Sequence, residues 1–379
     1  MKFLFNVIIL GLTSFFTDIS TEMVYPLIPL FLTTTLGASP AIVGIIEGVA
    51  ESLSSILKVF SGYISDKVGR RKPLAIMGYS FSTIGKVFLS FATSWVWVFF
   101  GRTSDRFGKG IRTAPRDTII AETVDSSKIG AAYGLHRAMD TMGATIGIIL
   151  AYYFLTSYKG DFKAVFIYSL IPAAIGVFAL FFVREKKIEK QSAKKIEFSW
   201  KKLDKRLKLF LIVIFIFALG NSSNQFLLLR AKNIGFSDAD VILLYLVYNL
   251  VYMIFSYPMG KLSDKIGRKK LLIAGYLFYG LVYIGFAVMG FKWAMWLLFS
   301  VYGLYIAFTE GVEKALVAEI APSDIKGTVI GLHATFTGIG LLPASFLAGF
   351  LWDVVGVSAP FYFGGIMGIL ASIGLMIIL

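Results

Sequence analysis

Acidic and basic side chains stand inside stretches that are otherwise apolar, and their spacing is helical. Asp18 and Glu22 lie four residues apart, as do Glu47 and Glu51, so each pair shares one helix face. Arg102, Asp105, Lys109, Arg112 and Arg116 fall within an arc of roughly 80° at about 100° per residue, with Arg106 beside them. Carboxylates and cations placed together away from water can exchange protons or hold a charged solute. Acidic pairs could instead take a divalent cation, or serve only as structural ion pairs. The residues leave all of these open.

The elements that must position these groups are membrane helices. Of 379 residues, 57% are hydrophobic and only 16% charged, against about 25% charged in a soluble domain. Apolar runs broken by Gly, Pro and charge predict twelve helices, each long enough for a hydrocarbon core of about 30 Å. The first six are expected at 4–34, 41–65, 73–91, 94–117, 128–157 and 163–183. The last six are expected at 207–230, 239–261, 270–290, 293–318, 327–351 and 358–379. The run after Lys2 continues past Leu30 without a small-residue cleavage site, so it reads as a first transmembrane helix and not a removed signal.

The formal net charge of +14 is concentrated between the apolar runs, which argues for membrane orientation and against nucleic acid. Lys67, Arg70, Arg71 and Lys72 crowd one loop, and Lys265, Arg268, Lys269 and Lys270 another, whereas residues 33–40 and 92–94 carry no Lys or Arg. Both termini are therefore expected in the cytoplasm of a multi-pass protein of the inner or plasma membrane. Residues 184–208 hold eleven Lys/Arg against four Asp/Glu. They predict a basic linker, 184–206, lying as an amphipathic helix at anionic lipid headgroups between domains 1–183 and 207–379. There is no cysteine, which removes disulfides and thiolate metal sites. No other cofactor or resident metal is implied, and a monomer is expected.

The chain repeats itself across the linker. Gly62-Tyr-Ile-Ser-Asp66-Lys-Val-Gly69-Arg70-Arg71-Lys72 returns as Gly260-Lys-Leu-Ser-Asp264-Lys-Ile-Gly267-Arg268-Lys269-Lys270, a shift of 198. Gly134-Leu-His136 returns as Gly331-Leu-His333, and Ala121-Glu122 as Ala318-Glu319, both shifted by 197. Through the twice-occurring Gly-x-x-x-Asp-x-x-Gly-Arg-[Arg/Lys] motif, the chain resembles the major facilitator superfamily over essentially its whole length. The resemblance implies an all-α membrane protein of twelve transmembrane helices in two pseudo-symmetric six-helix bundles, moving a small-molecule substrate by alternating access. It implies that Gly62, Asp66, Gly69 and Arg70, with Asp264 and Arg268, govern gating, Asp66 facing the start of helix 11 and Asp264 that of helix 5 near Lys128. Gly134, Gly143 and Gly147 fit the first three glycines of the helix-5 motif of drug:proton antiporters. Ile148 and Leu150–Ala151 then depart from it, which favours export without excluding uptake.

In the family, helices 1, 2, 4 and 5 line the N-terminal half of the cavity, and these helices carry most of the buried charge here. Eight acids (Asp18, Glu22, Glu47, Glu51, Asp105, Asp117, Glu122, Asp140) stand against eight bases (Lys58, Lys86, Arg102, Arg106, Lys109, Arg112, Arg116, Arg137). This balance points to a layered ion-pair network and to a charged or zwitterionic cargo. Asp18, Glu22, Glu47, Glu51, Arg102, Asp105 and Arg106 are the candidate proton-coupling residues. The family's helix-4 arginine fits either Arg102 or Arg106. Candidate substrate contacts are Lys109, Arg112, His136, Arg137 and Asp140, then Asn221, Asn224, Gln225, Tyr248, Asn249, Tyr305, Glu310, Glu313 and His333. The two histidines can titrate near neutral pH or simply pack at a repeated helix contact. An expected proton-coupled exporter thus competes with an uptake permease, a divalent-metal exporter, and a membrane-embedded enzyme or lipid flippase. No His-Glu-x-x-His, Gly-x-Ser-x-Gly or phosphate-binding Gly-x4-Gly-Lys-[Ser/Thr] supports an enzyme or ATP as energy source.

Overall fold

A computed structural model describes residues 2–68, 70–124, 129–185, 204–321 and 326–378. The expected linker helix therefore falls largely outside the described residues, as do Gly69, Lys128 and the side chain of Asp66. The described chain is helical throughout. The elements are α1 (Lys2–Val24), α2 (Pro40–Val68), α3 (Lys72–Ser90), α4 (Trp95–Thr123), α5 (Ile129–Ser157) and α6 (Phe162–Leu180). They continue with α7a (Lys205–Gly220), α7b (Gln225–Asn233), α8 (Asp238–Ile266), α9 (Arg268–Val288), α10 (Lys292–Ile320), α11 (Lys326–Val354) and α12 (Ala359–Ile378). Among the described residues nine spans are long and apolar enough to cross a membrane. Helices α2, α3 and α4 are not among those nine, and they bring Glu47, Glu51, Lys86 and the charged face of α4 to the fold.

Two elements differ from the expected continuous helices. After Val24 the first helix passes through a 3-10 turn (Tyr25–Leu27), one α turn (Ile28–Leu30) and a π turn (Phe31–Thr35). Pro26 and Pro29 lack the N–H that an unbroken α-helix would use there. The seventh helix is interrupted at residues 221–224, where Asn-Ser-Ser-Asn side chains compete with the backbone ladder. The freed groups find side-chain partners. Tyr279 Oη donates to the Gly220 carbonyl at 2.9 Å, and the Ser223 amide donates to Ser345 Oγ at 3.1 Å.

By contacts the chain forms two units, Met1–Gly37 with Val49–Lys194, and Ala38–Gly48 with Lys195–Leu379. In the first, α1 packs on α5 and α6, and α3 on α4 and α6; in the second, α7a packs on α11 and α12, and α9 on α10 and α12. The neighbour relations repeat, and so does the register. Helices α4 and α10 are both 29 residues long, as are α5 and α11, and each pair is shifted by 197.

Glycine explains how close these helices come. A Cβ on Gly78 would sit 2.6 Å from the Gly108 carbonyl, and one on Gly108 2.2 Å from that of Gly78. Gly85 and Gly101 form a second reciprocal contact one level away. Two of the three antiporter-type glycines act likewise. A Cβ on Gly143 would meet the Phe15 carbonyl at 2.3 Å and one on Gly147 the Ile19 carbonyl at 2.5 Å, whereas Gly134 has open space. Gly143→Ala should therefore lower unfolding stability by about 1–3 kcal/mol, and Gly134→Ala should leave it unchanged. Denaturation of the purified protein in detergent measures both; equal effects would show that the contact with α1 is not what selects glycine.

Candidate functional site

Helix α4 positions most of the charged groups. Its start is set by Ser94 in extended conformation, φ −149° and ψ 164°, and it runs through Pro115 without ending. The Gly78/Gly108 and Gly85/Gly101 contacts draw α3 onto it, so that Ser82 Oγ donates to the Asp105 carbonyl at 3.0 Å and Ser104 Oγ to that of Phe81 at 2.9 Å.

One cluster forms around the first turns of α4. Arg106 Nε lies 3.0 Å from Glu51 Oε1, and Arg102 reaches the same oxygen at 3.8 Å. Asp105 stands among three cations, Arg102 at 3.4 Å, Arg106 at 3.8 Å and Lys86 at 3.9 Å. Both guanidinium groups lie over the Tyr25 ring, 5.3 and 5.9 Å from its centroid. Lys86 Nζ also donates to Thr21 Oγ1 at 3.2 Å. Arg102 and Lys86 are each 2% exposed, so pairing here sets how charge is tolerated. Beside them a cavity of ≈10 Å³, about one water in size, is lined by Thr21, Tyr25, Lys86, Arg102 and Asp105 together with apolar side chains.

A second cluster lies further along α4. Ser14 Oγ is a node, 3.0 Å from Tyr79 Oη and 2.9 Å from His136 Nε2, and it accepts from Arg116 at 3.2 Å. His136 Nδ1 faces Asp140 at 3.5 Å, and Arg116 also pairs with Asp117 at 2.8 Å. Arg112 donates to Ser82 Oγ and stacks 4.4 Å over the Tyr79 ring. Asp18 lies in the field of Lys109, Arg112, Arg116 and Arg137. The structure thus brings Glu51, Arg102, Asp105 and Arg106 together, and further along α4 Asp18, Arg112, Arg116, His136, Arg137 and Asp140, with Lys109 in the field of both Glu51 and Asp18. Glu47 is fully buried on the part of α2 that belongs to the second unit, and Glu22 lies against α5, its Cβ 3.0 Å from where a Cβ on Gly147 would stand.

In the second unit the break in the seventh helix is a polar hub. Asn224 accepts from Tyr302 Oη at 2.6 Å and donates to Tyr248 Oη at 3.3 Å. Tyr279, Tyr283 and Tyr305 pack around Tyr302. Gln225 is fully buried, and its amide has no hydrogen-bond partner among the described residues. Asn249 turns back onto its own helix, donating to the Tyr245 carbonyl at 2.8 Å, and Asn221 is half-buried beside the break. On α10, Glu310 accepts from Tyr252 at 2.6 Å and pairs with Lys314 at 2.9 Å. Glu313 accepts from Tyr276 Oη at 2.8 Å and contacts His333 Nε2.

Each copy of the repeated Gly-x-x-x-Asp-x-x-Gly-Arg motif holds a glutamate at the end of a later helix. Arg71 pairs with Glu122, and Arg268, the motif counterpart of Arg70, pairs with Glu319 at 2.7 Å, each 51 residues apart. Asp264 binds Arg268 at 3.0 Å, while Arg70 is exposed and a Cβ on Gly62 would meet the Ala114 methyl at an ordinary 3.5 Å. Gly267 has φ 95°, a conformation glycine adopts without strain.

Sequence reasoning missed Tyr25, Ser14, Tyr79, Tyr276 and Arg230 as organisers. Arg230 spends its guanidinium on the end of α9, donating to the carbonyls of Phe286 at 2.9 Å and of Ala287 and Met289 at 3.4 Å. A basic residue in the last turn of a helix was the one signal for it, and that signal names no partner.

Twice-repeated sets of membrane-crossing helices, with ion pairs held inside them, are the build of a membrane transporter. The sequence profile of the Major Facilitator Superfamily matches residues 10–229 and 209–379, and the chain belongs to that family. It is 38% identical over 379 residues to an uncharacterised MFS-type transporter of Methanocaldococcus jannaschii, covering 98% of this chain and 94% of that one. It is 33% identical over 144 residues to the quinolone resistance protein NorA of Staphylococcus aureus, covering 38% of this chain and 36% of NorA. Its fold matches that of the nucleoside transporter NupG with a TM-score of 0.84 at 15% identity, over 98% and 99% of the two chains. It is a multi-pass membrane transporter, not an enzyme.

Proposed function

We propose that this transporter is a proton-coupled exporter of small charged or zwitterionic organic solutes by alternating access. The observation that carries this is the Glu51 carboxylate held by Arg106 and Arg102 above Tyr25. A proton on Glu51 removes its charge and releases the guanidinium groups, which then accept a cargo carboxylate in its place. Proton and cargo thus compete for the same cations, the logic of an antiporter. The divalent-metal alternative has less support, since no group of three or more His, Asp or Glu side chains comes together among the described residues. The reading places the protein in the cell membrane as a monomer with both termini cytoplasmic, bundles 1–183 and 207–379 rocking around the cargo. His136, Asn224, Gln225, Tyr248 and Tyr305 would supply polar contacts.

NorA is named for quinolones, and a fluoroquinolone carries both a carboxylate and an amine, so norfloxacin is the probe. In proteoliposomes an imposed proton gradient should drive norfloxacin movement and norfloxacin should drive proton movement. Glu51→Gln should abolish the second while leaving norfloxacin exchange measurable. Norfloxacin transport that moves no protons in the wild type would refute coupling.

A further inference from the structure

The two repeats build the same node with opposite chemistry. Shifted by 197, Tyr79 corresponds to Tyr276, Arg116 to Glu313 and His136 to His333. The packing supports this register. A Cβ on Gly78 meets Arg112 Cβ at 2.6 Å, and one on Gly275 meets the methyl of Thr309 at 2.5 Å. In the first unit Ser14 ties Tyr79, His136 and Arg116 together. The second unit has the ring of Phe217 stacked on Tyr276 on that side, and the Glu313 carboxylate itself spans the tyrosine and the histidine. The acid also changes helix. Asp140 on α5 faces His136, whereas the matching Thr337 gives its hydroxyl to the His333 carbonyl.

We infer that Glu313, sharing a proton with His333, is the place where the second unit takes up and releases a proton, an inference that rests on the proton-coupled reading above. Arginine is protonated in either state, so the central residue of the first node keeps its charge. Glu313 does not have to. One added proton turns the Glu313 carboxylate beside imidazole into a carboxylic acid beside imidazole, and the node goes from −1 to 0. Tyr276 Oη continues to donate to the carboxyl group in both forms.

The groups facing Glu313 are few. His333 comes from α11 and Tyr276 from α9, the latter under Phe217 of α7a at 3.8 Å between ring centroids. On its own helix Tyr305 lies in the field of Glu313. Glu310 and Lys314 pair with each other, and Tyr252 of α8 goes to Glu310. No arginine is among the described partners of Glu313, in contrast to Glu51 and Asp105.

The test is pH-difference infrared spectroscopy of the purified full chain in liposomes without cargo, which reads buried carboxyl C=O stretches. The wild type is expected to show a carboxylic-acid band that appears on acidification. Glu313→Gln should remove it, Tyr276→Phe should move its frequency, and Glu51→Gln should leave it in place. If Glu313→Gln does not accumulate, Glu313→Asp should keep the band at a shifted frequency. A Glu313→Gln spectrum superimposable on the wild type, or an unshifted band in Glu313→Asp, overturns the inference. A band lost in Glu51→Gln but kept in Glu313→Gln also overturns it, and leaves proton coupling standing in the first unit alone. Coupling as such stands or falls on the norfloxacin-driven proton movement of the wild type.

Discussion

Asp105→Ala should cost about 3–5 kcal/mol of stability, because it leaves the positive charges around it buried with less compensation. Lys86, Arg102 and Arg106 all lie within 3.9 Å of this carboxylate. The expected outcome is a large drop in folded protein recovered from membranes and an early detergent-unfolding transition. Removing the nearest charge from α3 as well, in Lys86→Met with Asp105→Ala, should recover part of the loss, since a buried ion pair replaced on both sides is far less costly than one broken. Equal stability of Asp105→Ala and the wild type would mean that water reaches this cluster freely.

The second large effect separates the two arginines that the sequence could not distinguish. Arg106 Nε approaches Glu51 to 3.0 Å and Arg102 only to 3.8 Å. A double-mutant cycle between Glu51→Ala and Arg106→Ala should give an interaction free energy of order 1–3 kcal/mol. The cycle with Arg102→Ala should give less than half of that, because Arg102 is also committed to Asp105 at 3.4 Å. Arg102 substitutions should therefore act on abundance, and Arg106 substitutions on transport. Greater coupling of Glu51 to Arg102 would reverse the assignment.

The helices and their repeat were legible in the chain because both are carried by local pattern. Apolar runs set the spans within a few residues, and α4 could be read as one charged face because five residues at helical spacing state it directly. Partners were not legible. Glu51 meets Arg106 and Ser14 meets His136 only after helices far apart in the chain have packed, and that packing depends on backbone-to-backbone approaches at Gly78, Gly108 and Gly143. Lys86 was legible only as one base in a balanced set, and it is the Gly85/Gly101 contact that carries it to Asp105. The interruption of the seventh helix escaped for another reason. Asn and Ser side chains compete only weakly with a helix ladder, and the partners that complete the break, Tyr279 and Ser345, stand on two other helices. Of the half-motif of glycines, Gly143 and Gly147 meet the backbone of α1 closely, while Gly134 has no such reason in its surroundings.

Those partners at the break have a consequence for selectivity. A main-chain group bonded to another main-chain group is locked into the ladder, whereas Gly220 and Ser223 are bonded to hydroxyls that can rotate away. On the proposed function, a cargo hydroxyl or amide that reached this break would replace Tyr279 or Ser345 one for one, so the number of hydrogen bonds would be conserved while the identity of the partner changed. Recognition there would be an exchange, nearly neutral in free energy for a guest that matches the geometry. A purely apolar guest would leave groups orphaned at about 1–3 kcal/mol each. On that reading the interruption would reject more strongly than it attracts, allowing discrimination without tight binding and hence release on the far side.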